Sequence, residues 1–168
     1  MNNLTICTIR FIKKAGNVNS GVKCHSSCLV AYNDLKMHKK HRYVLLHIDG
    51  GGEVRILKEA ERAATYEDFR NDMINAMNLG DGRYVVYDYE YPNKTTDLFF
   101  IMWYVVCLCL YEFRTPRNLS LLKNMVYAST MGSVKSQFQG IKHTLEAHDL
   151  EDISEERFIE VGKQNRLC

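Results

Sequence analysis

No stretch of this chain is apolar for the roughly 20 positions a membrane-crossing helix requires. The longest uncharged run, 98–111, stops at 14 residues. Charge of one sign is also short: 22 Lys and Arg against 20 Asp and Glu leave a net charge of +2, and no arginine- or lysine-rich stripe accompanies it. Bulk charge therefore argues against a nucleic-acid binder. There are only two prolines, and each reads as a boundary, Pro92 in a polar turn and Pro116 just inside a helix start. The six cysteines (Cys7, Cys24, Cys28, Cys107, Cys109, Cys168) follow no secretory leader and lack the density of a disulfide scaffold, so they read as reduced thiols of a cytosolic protein.

Catalytic constellations are missing as well. No Ser/His/Asp order or nucleophilic cysteine with a flanking motif is present, and Asp88, Glu90 and Asp97 have no partner set, so the chain is not read as an enzyme. Gly50, Gly51 and Gly52 could suggest a phosphate cradle, but no Gly-Lys-Ser/Thr and helix follow, and a hairpin turn is the simpler reading. No cofactor is expected. Cys24, Cys28, His38 and His41 have a C-x3-C-x9-H-x2-H spacing loosely like a zinc site, although the histidine spacing is short and helix packing explains the two cysteines equally well. Trp103, Tyr84, Tyr87, Tyr89 and Tyr91 could build a base-stacking platform, or form the core and rim of a sheet. The basic group 39–42 reads as a solvated helix end, or as a nuclear signal.

What is present fits one globular domain, with 46% apolar and 25% charged residues. Residues 1–19 contain Arg10, Lys13 and Lys14 and no acid, a bias shared with mitochondrial presequences but without their amphipathic arginine pattern; they are expected to form a disordered extension. In 24–38, Cys28, Leu29, Tyr32 and Leu35 recur at helical spacing. Strands are expected at 43–48 and 53–57, turning through Asp49 and three glycines. Thr65 and Asp68 form a capping box for a second helix with Tyr66, Phe69, Met73 and Met77 on one face. Strands at 83–91 and 98–103, a long helix over 116–138, a strand at 142–148 and a terminal helix capped by Asp152, with Ile153, Phe158 and Val161 inward, complete the order. Helices interspersed this way must cover both faces of a central mixed sheet, giving an α+β fold with five strands.

Five segments in order carry a resemblance: Ser20-Gly21-Val22, Lys40-His41-Arg42-Tyr43-Val44, Arg83-Tyr84-Val85-Val86-Tyr87-Asp88, Leu98-Phe99-Phe100-Ile101-Met102-Trp103, and Met125-Val126-Tyr127-Ala128-Ser129-Thr130, the last followed by Gly140-Ile141-Lys142-His143. Together they resemble the ADF/cofilin family over about residues 20–163. The resemblance implies an ADF homology domain at 20–165 that binds monomeric and filamentous actin, severs or depolymerises filaments, does no covalent chemistry and acts as a monomer in the cytoplasm on the actin cytoskeleton, with a nuclear pool also open. It assigns monomer binding to Ser20, Gly21, Val22, Lys123, Met125 and Ser129, filament binding to Lys94 and Glu160, regulatory phosphorylation to Ser20, and phosphoinositide head groups as a competing ligand.

Three departures qualify those expectations. Leu122 and Asn124 stand where the family's long helix usually has basic residues, which weakens charge steering and leaves monomer binding without severing as the alternative activity. An atypical insert, 104–114, includes Val105, Val106, Cys107, Leu108, Cys109 and Leu110, and Arg117 replaces the acid usual after Pro116. That insert either lengthens a strand or is translated unspliced sequence, in which case the chain is a defective product. Ser20 follows nineteen other residues instead of lying beside the start of the chain.

Overall fold

The elements run β1 (Lys23–Cys24), α1 (Ser26–Lys36), β2 (His41–Ile48), β3 (Glu53–Glu61), α2 (Tyr66–Leu79), β4 (Arg83–Glu90), β5 (Thr96–Trp103), α3 (Asn118–Lys135), β6 (His143–Ala147) and α4 (Glu155–Gln164). The computed structural model describes residues 22–104 and 118–164, with side chains of the second stretch described from Met125 onward.

Alternation in β4 and β5 sets the architecture. The two strands pair antiparallel with Val85 opposite Ile101, Val86 opposite Phe100 and Tyr87 opposite Phe99, so odd- and even-numbered residues go to opposite faces. Further pairing gives one mixed sheet in the order β1-β3-β2-β4-β5-β6, parallel only at its two ends. On one face, Phe69, Met73 and Ala76 of α2 and Phe158 of α4 bury Tyr43, Leu45, Val85, Tyr87, Phe99 and Trp103. Phe158 stacks on Tyr89 at 4.7 Å and meets Tyr87 and Phe99 edge-on. On the other face, α1 and α3 bury Val44, Leu46, Tyr84, Val86, Phe100 and Met102. The tyrosines and Trp103 that could have formed a stacking platform are all core residues.

The sheet has six strands, not five. The extra one, β1, is a two-residue strand on the edge beside β3, too short for alternation to reveal it. β3 runs four residues beyond the expected Leu57, because its solvent side tolerates Lys58 and Glu59. α1 turns Ala31 inward and leaves Leu29 37% exposed, since the small side chain allows close approach to the sheet. The capping box of Thr65 and Asp68 is formed, and Gly80 closes α2 in the left-handed conformation (φ 60°). α4 is capped by Ser154, whose Oγ accepts from Arg157 N–H, while Asp152 accepts from His148 N–H in the preceding turn. α3 ends at Lys135, and Phe138 is buried in the turns beyond it, against Tyr32 of α1.

Two buried carboxylates lock the strand ends. Asp88 accepts from Lys39 (2.9 Å) and Arg62 (2.5 Å), fastening the chain on either side of the β2–β3 pair to β4. Asp97, on β5, accepts from Lys142 (2.5 Å) and lies 3.2 Å from His143 Nε2, tying β5 to β6. Burial alone would raise the Asp97 pKa, but the Lys142 ammonium and the His143 ring outweigh it and hold the carboxyl below its ordinary 3.8. A depressed carboxyl pKa contributes stability that is fully present above the unfolded-state value and is lost as pH falls through the folded-state value. The denaturant midpoint is therefore expected to drop on acidification from about pH 4 downward, and Asp97→Asn to lower the midpoint at neutral pH while flattening that acid limb.

Candidate functional site

α3 is seated by polar contacts from its inner side. Tyr127 is 2% exposed, its hydroxyl accepts from Ile48 N–H at 2.8 Å, and its ring lies 5.0 Å from that of Tyr84. The Tyr84 hydroxyl reaches the Tyr127 carbonyl at 2.6 Å and Thr130 Oγ1 at 2.5 Å, and Thr130 Oγ1 also reaches the Val126 carbonyl at 2.7 Å. Each hydroxyl has one proton, so the group closes in either of two ways: Tyr84 donates to the carbonyl and Thr130 to Tyr84, or Tyr84 donates to Thr130 and Thr130 to Val126. Burial pushes the Tyr84 pKa above its ordinary 10, which keeps the donor in place.

Because Tyr127, Thr130 and Val134 point inward, Met125, Ala128, Ser129 and Gly132 form the outward strip of α3. Met125 is 61% exposed and Val126 beside it 40%. The strip is otherwise made of small side chains, and a Cβ on Gly132 would meet nothing within 4 Å. Ser129 Oγ donates back to the Val126 carbonyl, leaving its lone pairs outward. Among the described residues of α3, the result is an apolar knob on an otherwise smooth strip, a shape suited to a groove in a partner. Met125 and Ser129 thus stand together, and Val126, Ala128 and Gly132 join them. The helical spacing of Ala128 and Gly132 from Met125 was the signal in the sequence that could have found those two; Val126, directly adjacent, had none.

The other assigned residues divide. Val22 is half-buried and packs on the α1/α3 core, just before β1, which itself touches α3. Ser20 and Gly21 lie outside the described residues, as do the Lys123 side chain and positions 105–114 of the insert. Lys94 sits in the β4–β5 turn with φ 65° and an 85% exposed side chain, 3.2 Å from Glu90. Glu160 lies on α4, paired with Arg157 at 2.7 Å. The Tyr91 ring abuts Gly162 of α4 so closely that no Cβ would fit there, which brings the turn and α4 to one end of the molecule. Tyr127 meets the start of β4 and Lys94 follows its end, so about 23 Å of strand separates the two groups.

Cys24 precedes α1 and Cys28 lies in its first turn, whereas His38 and His41 lie beyond the far end of this 11-residue helix. His38 is committed to Asp34 at 2.8 Å. Among the described residues, no three of His, Cys, Asp or Glu come together as metal ligands, and no helix is long and apolar enough to cross a membrane.

A two-faced mixed sheet with a long helix presenting such a strip is the architecture of one class of small cytoskeletal domains, and the comparisons agree. The family model described as cofilin/tropomyosin-type actin-binding protein matches residues 21–161. A cofilin of Gibberella zeae is 30% identical over 146 residues, covering 80% of this chain and 88% of its own length. Actophorin of Acanthamoeba castellanii is 30% identical over 153 residues, covering 87% and 98%. The crystal structure of Streptomyces griseoflavus cofilin shares the fold, with a TM-score of 0.70 at 23% identity over 86% of this chain and 98% of that one. The chain belongs to the ADF/cofilin family of actin-binding proteins.

The seating of α3 makes a direct prediction. A Cβ on Gly82 would come within 2.6 Å of the Tyr127 ring. Gly82→Ala is expected to cost about 1–3 kcal/mol of stability by displacing that ring. Urea unfolding reads the loss, and an unchanged midpoint would show that Tyr127 does not seat the helix.

Proposed function

We propose that this protein binds actin through two separate surfaces and shortens filaments without chemical catalysis. The observation that carries the reading is the outward strip of α3, where Met125 stands 61% exposed while Tyr127, Thr130 and Val134 are buried on the inner side. In the monomer-binding surface, Met125 supplies the apolar anchor, Ser129 a polar contact, Lys123 the charge that sets register, and Ser20, Gly21 and Val22 the approach of the chain beside α3. Lys94 and Glu160, at the other end of β4, engage a neighbouring subunit in the filament. Severing follows from differential affinity: binding favours a twisted filament state, and boundaries between decorated and bare stretches are weak.

The domain of 20–165 works as a monomer in the cytoplasm, with 1–19 as an extension before it. Phosphate on Ser20 would add nearly two negative charges and oppose binding, and phosphoinositide head groups would compete for the basic side chains. Monomer binding without severing is the second reading, favoured by Leu122 and Asn124 on α3.

Co-sedimentation with filamentous actin and counting of filament lengths test the proposal. The chain is expected to pellet with filaments and fragment them at micromolar concentration. Met125→Ala together with Lys123→Ala should weaken monomer binding about 30-fold, a hot-spot loss of ~2 kcal/mol. Lys94→Ala with Glu160→Ala should abolish pelleting and leave monomer affinity within about twofold. Sequestration with no fragmentation would select the second reading; neither binding nor fragmentation would reject both.

A further inference from the structure

A cleft of about 270 Å³ opens where the first turns of α2 and α4 approach the start of β2 and the end of β4. Its lining includes Arg42, Tyr66, Tyr87, Tyr89, Glu90 and Glu155, none of which belongs to either actin-binding surface assigned above. Two tyrosine hydroxyls distinguish it from a packing gap. Tyr32, Tyr43, Tyr66, Tyr84 and Tyr127 all set their hydroxyls on protein partners. Tyr87 and Tyr89 are 3% and 4% exposed, yet among the described residues neither hydroxyl has a partner, and both residues line the cleft. Buried hydroxyls are ordinarily paired, so two of them at one opening mark a place that receives a polar group.

Charge decides which polar group. Arg42 is already engaged, its Nη1 donating to Glu90 at 3.2 Å and its Nε to the Arg62 carbonyl at 3.3 Å. Glu155 enters no ion pair among the described residues, since Arg157 beside it pairs with Glu160. Among the lining residues one arginine thus stands against two glutamates. The N-terminal ends of α2 and α4 border the cleft but are already satisfied: Thr65 and Asp68 close the first as a capping box, and Ser154 caps the second. Glu67, Asp68, Glu155 and Glu156 offset the dipoles of those two ends. Burial, with the Glu155 charge adding to it, raises the pKa of Tyr66, Tyr87 and Tyr89, opposed by Arg70 at Tyr66 and by Arg42 at Tyr87. The hydroxyls therefore stay protonated and neutral, with lone pairs free to accept.

We propose that this cleft is a socket for a basic side chain of a partner protein, an arginine by preference. A guanidinium meets each demand of the lining: its N–H groups donate to the Tyr87 and Tyr89 hydroxyls, and Glu155 supplies the opposite charge. Tyr66 offers an aromatic surface to the guanidinium plane, held still by its hydroxyl on the Ile153 carbonyl at 3.0 Å. Sites for whole small ligands run to about 300–1,000 Å³, so a cleft just below that range suits one long side chain. An anion would meet Glu90 and Glu155 with Arg42 already committed. The occupant is identified by its charge and shape alone, so the socket does not rest on the actin reading.

The test is an NMR titration of the isotope-labelled full chain with N-acetyl-arginine amide. Amide shifts are expected at residues 63–66, 87–90 and 155, saturating with a dissociation constant of roughly 1 mM for so small a ligand. N-acetyl-citrulline amide, which keeps the shape and loses the charge, is expected to bind about tenfold more weakly. Tyr87→Phe together with Tyr89→Phe should weaken the arginine amide about tenfold, and Glu155→Gln about fivefold. Glu155 is exposed, so its variant keeps the test decisive if the tyrosine pair does not fold. Equal binding of the citrulline amide, tighter binding of N-acetyl-glutamate amide, shifts confined to other surfaces, or no shift at all would each overturn the proposal. So would undiminished affinity in Glu155→Gln.

Discussion

The outward strip of α3 depends on one tyrosine. Tyr127 places its ring against Gly82 and its hydroxyl under Ile48 N–H, while the Tyr84 hydroxyl sits between the carbonyl of the same residue and Thr130 Oγ1. A buried donor or acceptor left unpaired costs about 1–3 kcal/mol, so each of these bonds resists rotation of α3 about its axis. That rotation is what must be prevented. Helical apolar residues ordinarily turn inward, and on hydrophobicity alone Met125 and Val126 could have competed with Tyr127 for the core. Hydrogen bonds that only Tyr127 and Thr130 can make decide which side is inner, and Met125 is left in solvent as a consequence.

The two assigned surfaces are held apart by a sheet packed on both faces. The α2/α4 side is knit by Phe158 among Tyr87, Tyr89 and Phe99, and the α1/α3 side by Tyr84, Phe100 and Phe138. Neither core can shift without disturbing β4, which contributes alternate residues to each. A rigid body of this kind can act on a partner through two contacts with no internal hinge. In the proposed activity, the conformational change then belongs to the filament, and this chain supplies the difference in affinity between two filament states.

Much of this was legible because alternation and capping are local. The Tyr-Val pattern of 83–90 could be read as a strand, and Thr65 with Asp68 as a helix start, from a few adjacent residues. Features decided by distant neighbours were not legible. Ala31 displaced Leu29 from the buried side of α1 because a small residue lets the helix approach the sheet, a fact about the partner surface and not about the helix. β1 exists only because Lys23 and Cys24 find Glu53 and Val54. Ser154 supplanted Asp152 as a cap because Asp152 is engaged by His148 N–H. At the site, resemblance supplied Met125 and Ser129, but the inner bonds that expose them needed the fold.

The distribution of charge bears on how a partner is met. Lys39 and Lys40 precede β2, Arg42 lies near its start, Arg62 follows β3 and Lys94 follows β4, and the antiparallel pairing of these strands brings all five to the end of the sheet that holds the β4–β5 turn. Each is paired with an acid: Asp88 with Lys39 and Arg62, Glu90 with Arg42 and Lys94, and Asp34 with Lys40. Such pairs add little stability at a surface, and Glu59 and Glu61 on β3, Glu155 beside Arg42 and Glu160 on α4 bring further carboxylates to the same end, so the region mixes both signs. Contacts at the Lys94 end therefore depend on how individual pairs are placed, whereas the described part of α3, at the other end of β4, presents an apolar side chain, Met125, among small ones.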